Sequence, residues 1–336
     1  MTAGAPAAVI CGVGGFVPPR VVTNEDLTRR LDTTDEWIRS RTGIGARHVV
    51  EPGTATSDLA VEAGRRALVS ADGEAPDAVV LATTTPDRPC PATAPEVAAR
   101  LGLDGAAAFD VAAVCSGFLY GLATAGGLIA SRTARRVLLI AADAFTTIVD
   151  PADRGTAVIF ADGAGALVLR PGEPAEPGAV GPVVLGSDGR LGDLIEVPAG
   201  GSRQRSSGRP PEPGEEFFRM RGRETYRHAV ERMSAASRTA LATAGWEVGD
   251  VDRFAAHQAN GRILTAVAEE LGVPAERSLS NIERVGNTGA ASIPLLLAQS
   301  AADGSLVAGH RLLMTAFGGG LAWGAAALVW PDVKAG

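Results

Sequence analysis

The chain repeats itself, and a repeat of this size constrains the architecture more tightly than any single motif. Asp77-Ala-Val-Val-Leu-Ala82, followed by Val97-Ala-Ala-Arg-Leu101-Gly, has a counterpart about 170 residues later in Val251-Asp-Arg-Phe-Ala-Ala256, followed by Ala268-Glu-Glu-Leu271-Gly. The glycine-rich segment 160–169 is echoed by 317–330 as the closing hairpin of a unit. Apolar runs alternate with alanine-rich helical stretches: a strand over Ala78–Ala82, a helix to about Leu101, a strand from Ala106 to Val114, a helix to about Ser131, and a strand ending at Ala141. That alternation predicts a layered α/β protein. Two similar halves follow, residues 1–172 and 173–336, joined by the Pro/Gly-rich stretch 171–182.

The same offset places Thr85 near His257 and Cys115 near Asn287. Pseudo-twofold packing of the halves then brings equivalent loops together at one end of the molecule, so that Cys, His and Asn form one site. Cys115 lies where a buried strand turns into a helix, in Asp110-Val-Ala-Ala-Val-Cys115-Ser-Gly-Phe118. A helix N-terminus favours thiolate, which predicts a thiol pKa below the free value of about 8.5.

With 336 residues, 46% of them hydrophobic, the chain has ample material for a large core. Aromatics make up only 4% against 42 glycines, so the layers must approach closely over small side chains. A net charge of −7 argues against nonspecific nucleic-acid binding, which needs a basic surface. No stretch reaches the roughly 20 apolar residues of a membrane span, and the N-terminus does not read as a signal peptide; we expect a cytoplasmic protein. Cys11, Cys90 and Cys115 are far apart, as are His48, His228, His257 and His310, so neither a disulfide framework nor a metal site is expected.

A nucleophilic cysteine needs a carbonyl to attack and fixed donors for the resulting oxyanion. Gly318-Gly319-Gly320 can offer backbone N–H groups at close range. His257 and Asn287 supply two N–H donors able to hold an enolate oxygen, or His257 acts as the proton acceptor of a protease-like Cys/His pair. Asp110 reads as structural. Gly12-Val-Gly14-Gly15 opens like a dinucleotide loop, but Val17 stands at the final glycine position, so a strand-end turn accounts for it. Residues 199–216, rich in Gly, Ser and Pro, read as a long surface loop without secondary structure.

Asp110–Phe118, His257-Gln-Ala-Asn260, Asn287-Thr-Gly-Ala-Ala-Ser-Ile-Pro294 and Gly318-Gly-Gly-Leu-Ala-Trp-Gly324 resemble the motif set of the β-ketoacyl-acyl-carrier-protein synthase III family in the thiolase superfamily. Asp35-Glu-Trp37-Ile-Arg-Ser-Arg41-Thr-Gly-Ile44 and Asp153-Arg154-Gly-Thr156 extend the likeness, which runs in order from about residue 8 to 331. The resemblance implies a duplicated thiolase-like five-layer αβαβα fold, a homodimer, and chain priming. In that reaction an acyl group passes from coenzyme A to a cysteine and condenses with malonyl-acyl carrier protein as carbon dioxide leaves. These thioesters are substrates, and no cofactor is implied. Cys115 would then be the nucleophile, His257 and Asn287 would hold the malonyl thioester oxygen, and Gly319 would complete the acyl oxyanion hole with the Cys115 N–H. Trp37 and Arg154 would flank the coenzyme's adenine with Arg41 beside them, Asn260 would lie near the pantetheine arm, and Arg262 would sit where the coenzyme and carrier dock.

Carrier proteins are acidic, so Arg219, Arg221, Arg223, Arg227 and Arg262 are expected to give a local positive surface. Three positions depart from the family pattern. Cys90 stands where many relatives carry a large residue that reaches across the dimer to close the acyl pocket, which predicts room for primers longer or more branched than acetyl. Arg223 and Gly261 replace the usual Asn and Leu, which leaves carrier and primer preference open. An acyltransferase that passes the acyl group on without condensation shares these residues. A noncatalytic partner subunit would be expected to lack the nucleophile.

Overall fold

The apolar runs around Val79–Leu81 and Leu138–Ile140 have no polar face, which suits strands covered on both sides. Both become fully buried strands in the computed structural model, which describes residues 5–336. The chain runs β1 (Ala7–Phe16), α1 (Asp35–Thr42), α2 (Thr56–Ala71), β2 (Ala78–Ala82), α3 (Ala94–Arg100), β3 (Ala107–Val111), α4 (Gly117–Ala130), β4 (Val137–Ala144) and β5 (Asp162–Gly172). It continues through β6 (Val184–Ser187), α5 (Gly222–Ala244), β7 (Arg253–Ala256), α6 (Gly261–Leu271), α7 (Ser292–Asp303), β8 (Arg311–Gly318) and β9 (Ala322–Val329).

The first sheet has the order β1-β5-β4-β2-β3 and the second the order β6-β9-β8-β7. Each contains a parallel pair ending beside a buried antiparallel neighbour, β2 with β4 and β7 with β8, so the order β6-β9-β8-β7 repeats β1-β5-β4-β2 of the first sheet. Where the first sheet has β3, the second keeps only a single parallel bridge, Phe254 to Ser278. The long helices α4 and α7 lie between the sheets in one continuous core with residues of both, Leu119, Leu122, Ile293 and Leu296 among them. Helices α2 and α3 cover the outer face of the first sheet, and α5 and α6 that of the second. The layering is therefore αβαβα, as expected.

Three local expectations change. The strand expected to reach Val114 stops at Val111, because residues 114–116 form a tight turn ahead of α4. Gly12 and Gly14 lie inside β1 rather than in a strand-end turn: a Cβ on Gly12 would sit 2.6 Å from the Ala67 carbonyl oxygen, so the glycines let α2 press against the strand. Residues 199–216 are largely exposed but include the helical turn Ser202–Ser206, where Gln204 bonds the Gly200 N–H and the Arg209 carbonyl.

The halves differ in their closing hairpins. β8 and β9 are joined by residues 319–321, whereas residues 145–161 intervene between β4 and β5. That long excursion carries Phe145, Arg154 and Phe160 toward the functional end of the molecule.

Candidate active site

Cys115 sits between the end of β3 and the first turn of α4, and Ser116 ties the turn by donating its hydroxyl to the Ala113 carbonyl at 2.8 Å. Val114 is held at φ +46°, a costly conformation for a β-branched residue, of the kind that clusters where a side chain must be presented at a fixed angle. Gly318, the last residue of β8, packs directly on this turn: a Cβ there would lie 2.7 Å from the Cys115 nitrogen. Gly318→Ala is therefore expected to cost about 1–3 kcal/mol of stability. It should also slow any reaction at Cys115 about tenfold or more by displacing the turn. Thermal unfolding and thiol acylation rates check both.

The thiol is not activated at rest. Burial and the negative charge of Asp143 push the Cys115 thiol up to about 12, against the lowering expected from its helix terminus. The dipole at the start of α4 is present, but desolvation of the anion outweighs it.

His257 follows the last residue of β7 and is 2% exposed; its backbone N–H donates to Thr315 at 2.8 Å. Burial drives its pKa down to about 3, and Nδ1 is buried without a partner. The imidazole is thus neutral, and its ring forms part of the cavity wall. The next residue anchors the turn: Gln258 accepts from the Asn281 N–H and Ser280 hydroxyl through Oε1 and donates Nε2 to Ala256. Asn287 is held by backbone bonds to the long excursion, its N–H to Ile159 and its carbonyl accepting from Ala161. Its Oδ1 accepts from Gly289 and one amide hydrogen reaches Ala259 at 3.3 Å, leaving a second N–H to donate.

One cavity of about 760 Å³ is lined by Cys115, His257, Asn287, Gly318, Asn260 and Arg262, with Arg41 and Arg223 also on its wall. Residues 142 positions apart in the chain thus converge at the ends of the two buried helices and the strands beside them. The apolar side is built by groups that sequence reasoning missed. Phe145 and Phe160 stack at 4.3 Å, Phe218 closes on both edge-on, and Phe160 and Phe218 line the cavity with Ile195, Met220 and Phe317. These residues carry no spacing signal, because four separate loops and strands contribute them.

Other expected residues lie at the rim or outside. The Arg154 guanidinium lies over the Trp37 ring, 4.8 Å from its centroid, and donates to the Asp32 carbonyl. Asn260 caps α6 by accepting from the Arg262 N–H and donates to the Arg41 carbonyl, so both ends of its amide have protein partners. Gly319 follows Gly318 in the hairpin and faces Ile195 and Val114. Cys90 is exposed and does not line this chain's cavity. Asp110 is structural: its carboxylate accepts the N–H groups of Thr93 and Ala94 at the start of α3. Of the five arginines, Arg221 is paired with Asp193 at 3.0 Å.

Two family models match, 3-Oxoacyl-[acyl-carrier-protein (ACP)] synthase III over residues 109–189 and its C-terminal counterpart over 241–330. Beta-ketoacyl-acyl-carrier-protein synthase III 3 of Streptomyces coelicolor is 58% identical over 97% of this chain and 98% of the relative. The crystal structure of 3-oxoacyl-(acyl carrier protein) synthase III from Pseudomonas aeruginosa superposes with a TM-score of 0.91 at 48% identity, covering 97% of this chain and 99% of that one. The priming β-ketosynthase of the R1128 polyketide pathway gives 0.90 at 35% identity, over 99% and 98%.

Proposed function

The chain belongs to the 3-oxoacyl-(acyl carrier protein) synthase III family, acyltransferase-type condensing enzymes, and from that premise we propose that it primes fatty-acid or polyketide chains in the cytoplasm. The observation that carries this reading is the shared cavity in which one cysteine faces a neutral imidazole and an amide N–H. In the first half-reaction the Cys115 sulfur attacks the carbonyl of an acyl-coenzyme A. The oxyanion is held by the N–H groups of Cys115 and Gly319, the C–S bond to coenzyme A breaks, and the proton given up by the Cys115 thiol ends on the departing sulfur, so coenzyme A leaves as its thiol. In the second, malonyl-acyl carrier protein loses carbon dioxide. The electron pair of the broken C–C bond becomes an enolate whose oxygen takes hydrogen bonds from His257 and Asn287. The enolate carbon then attacks the acyl-enzyme carbonyl, the C–S bond to Cys115 breaks, and the departing thiolate takes a proton from solvent as 3-oxoacyl-acyl carrier protein is released. No resident cofactor is needed.

An imidazole whose conjugate acid lies near 3 is a poor proton acceptor but a sound neutral donor, which favours condensation over a proton-shuttling transfer. Adenine fits between Trp37 and Arg154 once the exposed arginine swings outward, because two aromatic contacts of about 3.5 Å each exceed the present gap. Arg41, Arg223 and Arg262 at the cavity wall give an acidic carrier and the coenzyme phosphates a positive approach, despite the net charge of −7.

The homodimer is supported by β3, an edge strand whose Phe109 and Val111 are only partly covered, a surface that proteins usually pair or protect. Asp110 on that strand anchors the start of α3, so pairing there carries the preceding Cys90 loop toward a second copy. Cys90→Phe is then expected to lower kcat/KM for branched or longer acyl-coenzyme A about tenfold relative to acetyl, on the scale of steric exclusion from a pocket. An unchanged ratio would remove Cys90 from the acyl pocket.

The reading as a whole is tested by intact-mass analysis with a panel of acyl-coenzyme A esters, followed by malonyl-acyl carrier protein. Acyl mass on the protein, discharged with carbon dioxide release, is the expected result. No load would overturn the reading, and discharge without carbon dioxide would turn it into simple acyl transfer.

A further inference from the structure

Asp143 takes no part in the scheme above, yet its carboxylate lies at the junction of the parts that do. It is the penultimate residue of β4, has no exposed surface, and is satisfied by neutral donors from both halves of the chain. Oδ1 accepts the Thr84 N–H at 2.6 Å and the hydroxyls of Thr83 and Thr85 at 3.1 and 3.3 Å. Oδ2 accepts the Ala290 N–H at 2.7 Å. The first three donors follow β2; the last belongs to the turn that carries Asn287. Between Asn287 and Ala290, Gly289 donates its N–H to the Asn287 Oδ1 at 3.0 Å. At φ +58°, any Cβ on Gly289 would collide with the Asp143 carboxylate. The Asn287 turn is thus pinned at its start by Ile159 and Ala161 and at its end by Asp143.

We propose that Asp143 is a positioning residue for the decarboxylation half-reaction, clamping turn 287–290 onto loop 83–85 and so aiming the remaining Asn287 N–H at the malonyl thioester oxygen. Only an anion suits this position. It presents acceptors on both sides, whereas an asparagine would turn an NH₂ toward donors on one side and leave that contact repulsive. Burial does penalise the charge, and the acid is pushed up to about 6, so the fold carries an ion it could dispense with if packing alone were at stake.

The inference rests on Asn287 acting as a donor during carbon dioxide loss, a step that acylation of Cys115 does not use. The two half-reactions therefore separate the outcomes. Wild-type protein is measured first, for acyl loading by mass and for carbon dioxide release from malonyl-acyl carrier protein. Failure of either overturns the functional reading itself. With both present, Asp143→Asn is expected to lower kcat for carbon dioxide release about 30–100-fold, the scale of a displaced catalytic group. KM should stay within about threefold, and loading should be unchanged or faster, since a negative charge beside the thiol is gone. Thr83→Val, which keeps the charge but deletes one donor to Asp143 together with the acceptor of the Thr85 N–H, should lower carbon dioxide release alone, about 2–10-fold, the worth of one or two hydrogen bonds. Loading and carbon dioxide release falling together, or neither falling, would overturn the clamp. If Asp143→Asn does not fold, Thr83→Val decides by the same criterion.

Discussion

Cys115→Ser is expected to abolish covalent loading from acyl-coenzyme A, a loss of about a thousandfold or more in acylation rate. The thiol is already hard to ionise, held near 12 by burial and Asp143, and an alcohol in the same setting is harder still. The substitution exchanges sulfur for oxygen at a half-buried position and leaves the Ser116 and Gly318 contacts in place, so thermal unfolding should scarcely move. Intact mass reads the result directly: an acyl adduct on wild type and none on the variant. An adduct that persists on the variant would place the nucleophile elsewhere. Alkylation of Cys115 by iodoacetamide, followed by peptide mapping apart from the exposed Cys90, should also climb with pH from about 7 to 10 without a plateau, because its thiolate remains a small fraction throughout.

The second large effect concerns His257. His257→Ala should slow carbon dioxide release from malonyl-acyl carrier protein about 100–1000-fold, the usual consequence of deleting one donor to a developing oxyanion. Acyl loading of Cys115 should stay within about threefold, since an imidazole that gains a proton only near pH 3 is not the base for that step. Loading that collapses in parallel would restore the Cys/His proton-transfer pair. Stability carries the same signature. The folded imidazole is neutral where the unfolded one would be charged, so its contribution is intact above pH 6.5 and is lost as pH falls from 6.5 toward 3. Urea unfolding of His257→Ala should therefore depend less on pH across that window than unfolding of wild type.

The duplication was legible because its signal is local and repeated: buried strands such as Val79–Leu81 and Phe254–Ala256 read alike, and glycine-rich hairpins close both units. The meeting of Cys115, His257 and Asn287 followed from the offset between the copies, and all three line one cavity. What escaped was set by partners distant in the chain. The state of the thiol is decided by burial first and by Asp143 second, neither of which is visible in the residues around position 115. The aromatic wall escaped for a similar reason, since Phe145, Phe160 and Phe218 come together only when an excursion between strands folds back over the site. In β1, the glycines suggested a turn because a one-dimensional pattern does not distinguish a bend from the pressure of a helix against a strand.

Only one of the two closing hairpins has grown into an excursion, and this separates two kinds of change. Residues 145–161 carry Arg154 over the Trp37 ring and Phe145 and Phe160 into the aromatic wall, while His257 and Asn287 of the other copy line the cavity that holds Cys115. The excursion grips the Asn287 turn through main-chain atoms of Ile159 and Ala161, which survive replacement of side chains. Under the proposed function, side chains along this one segment could be exchanged to alter the entrance to the cavity while the main-chain hold on the Asn287 turn stays in place.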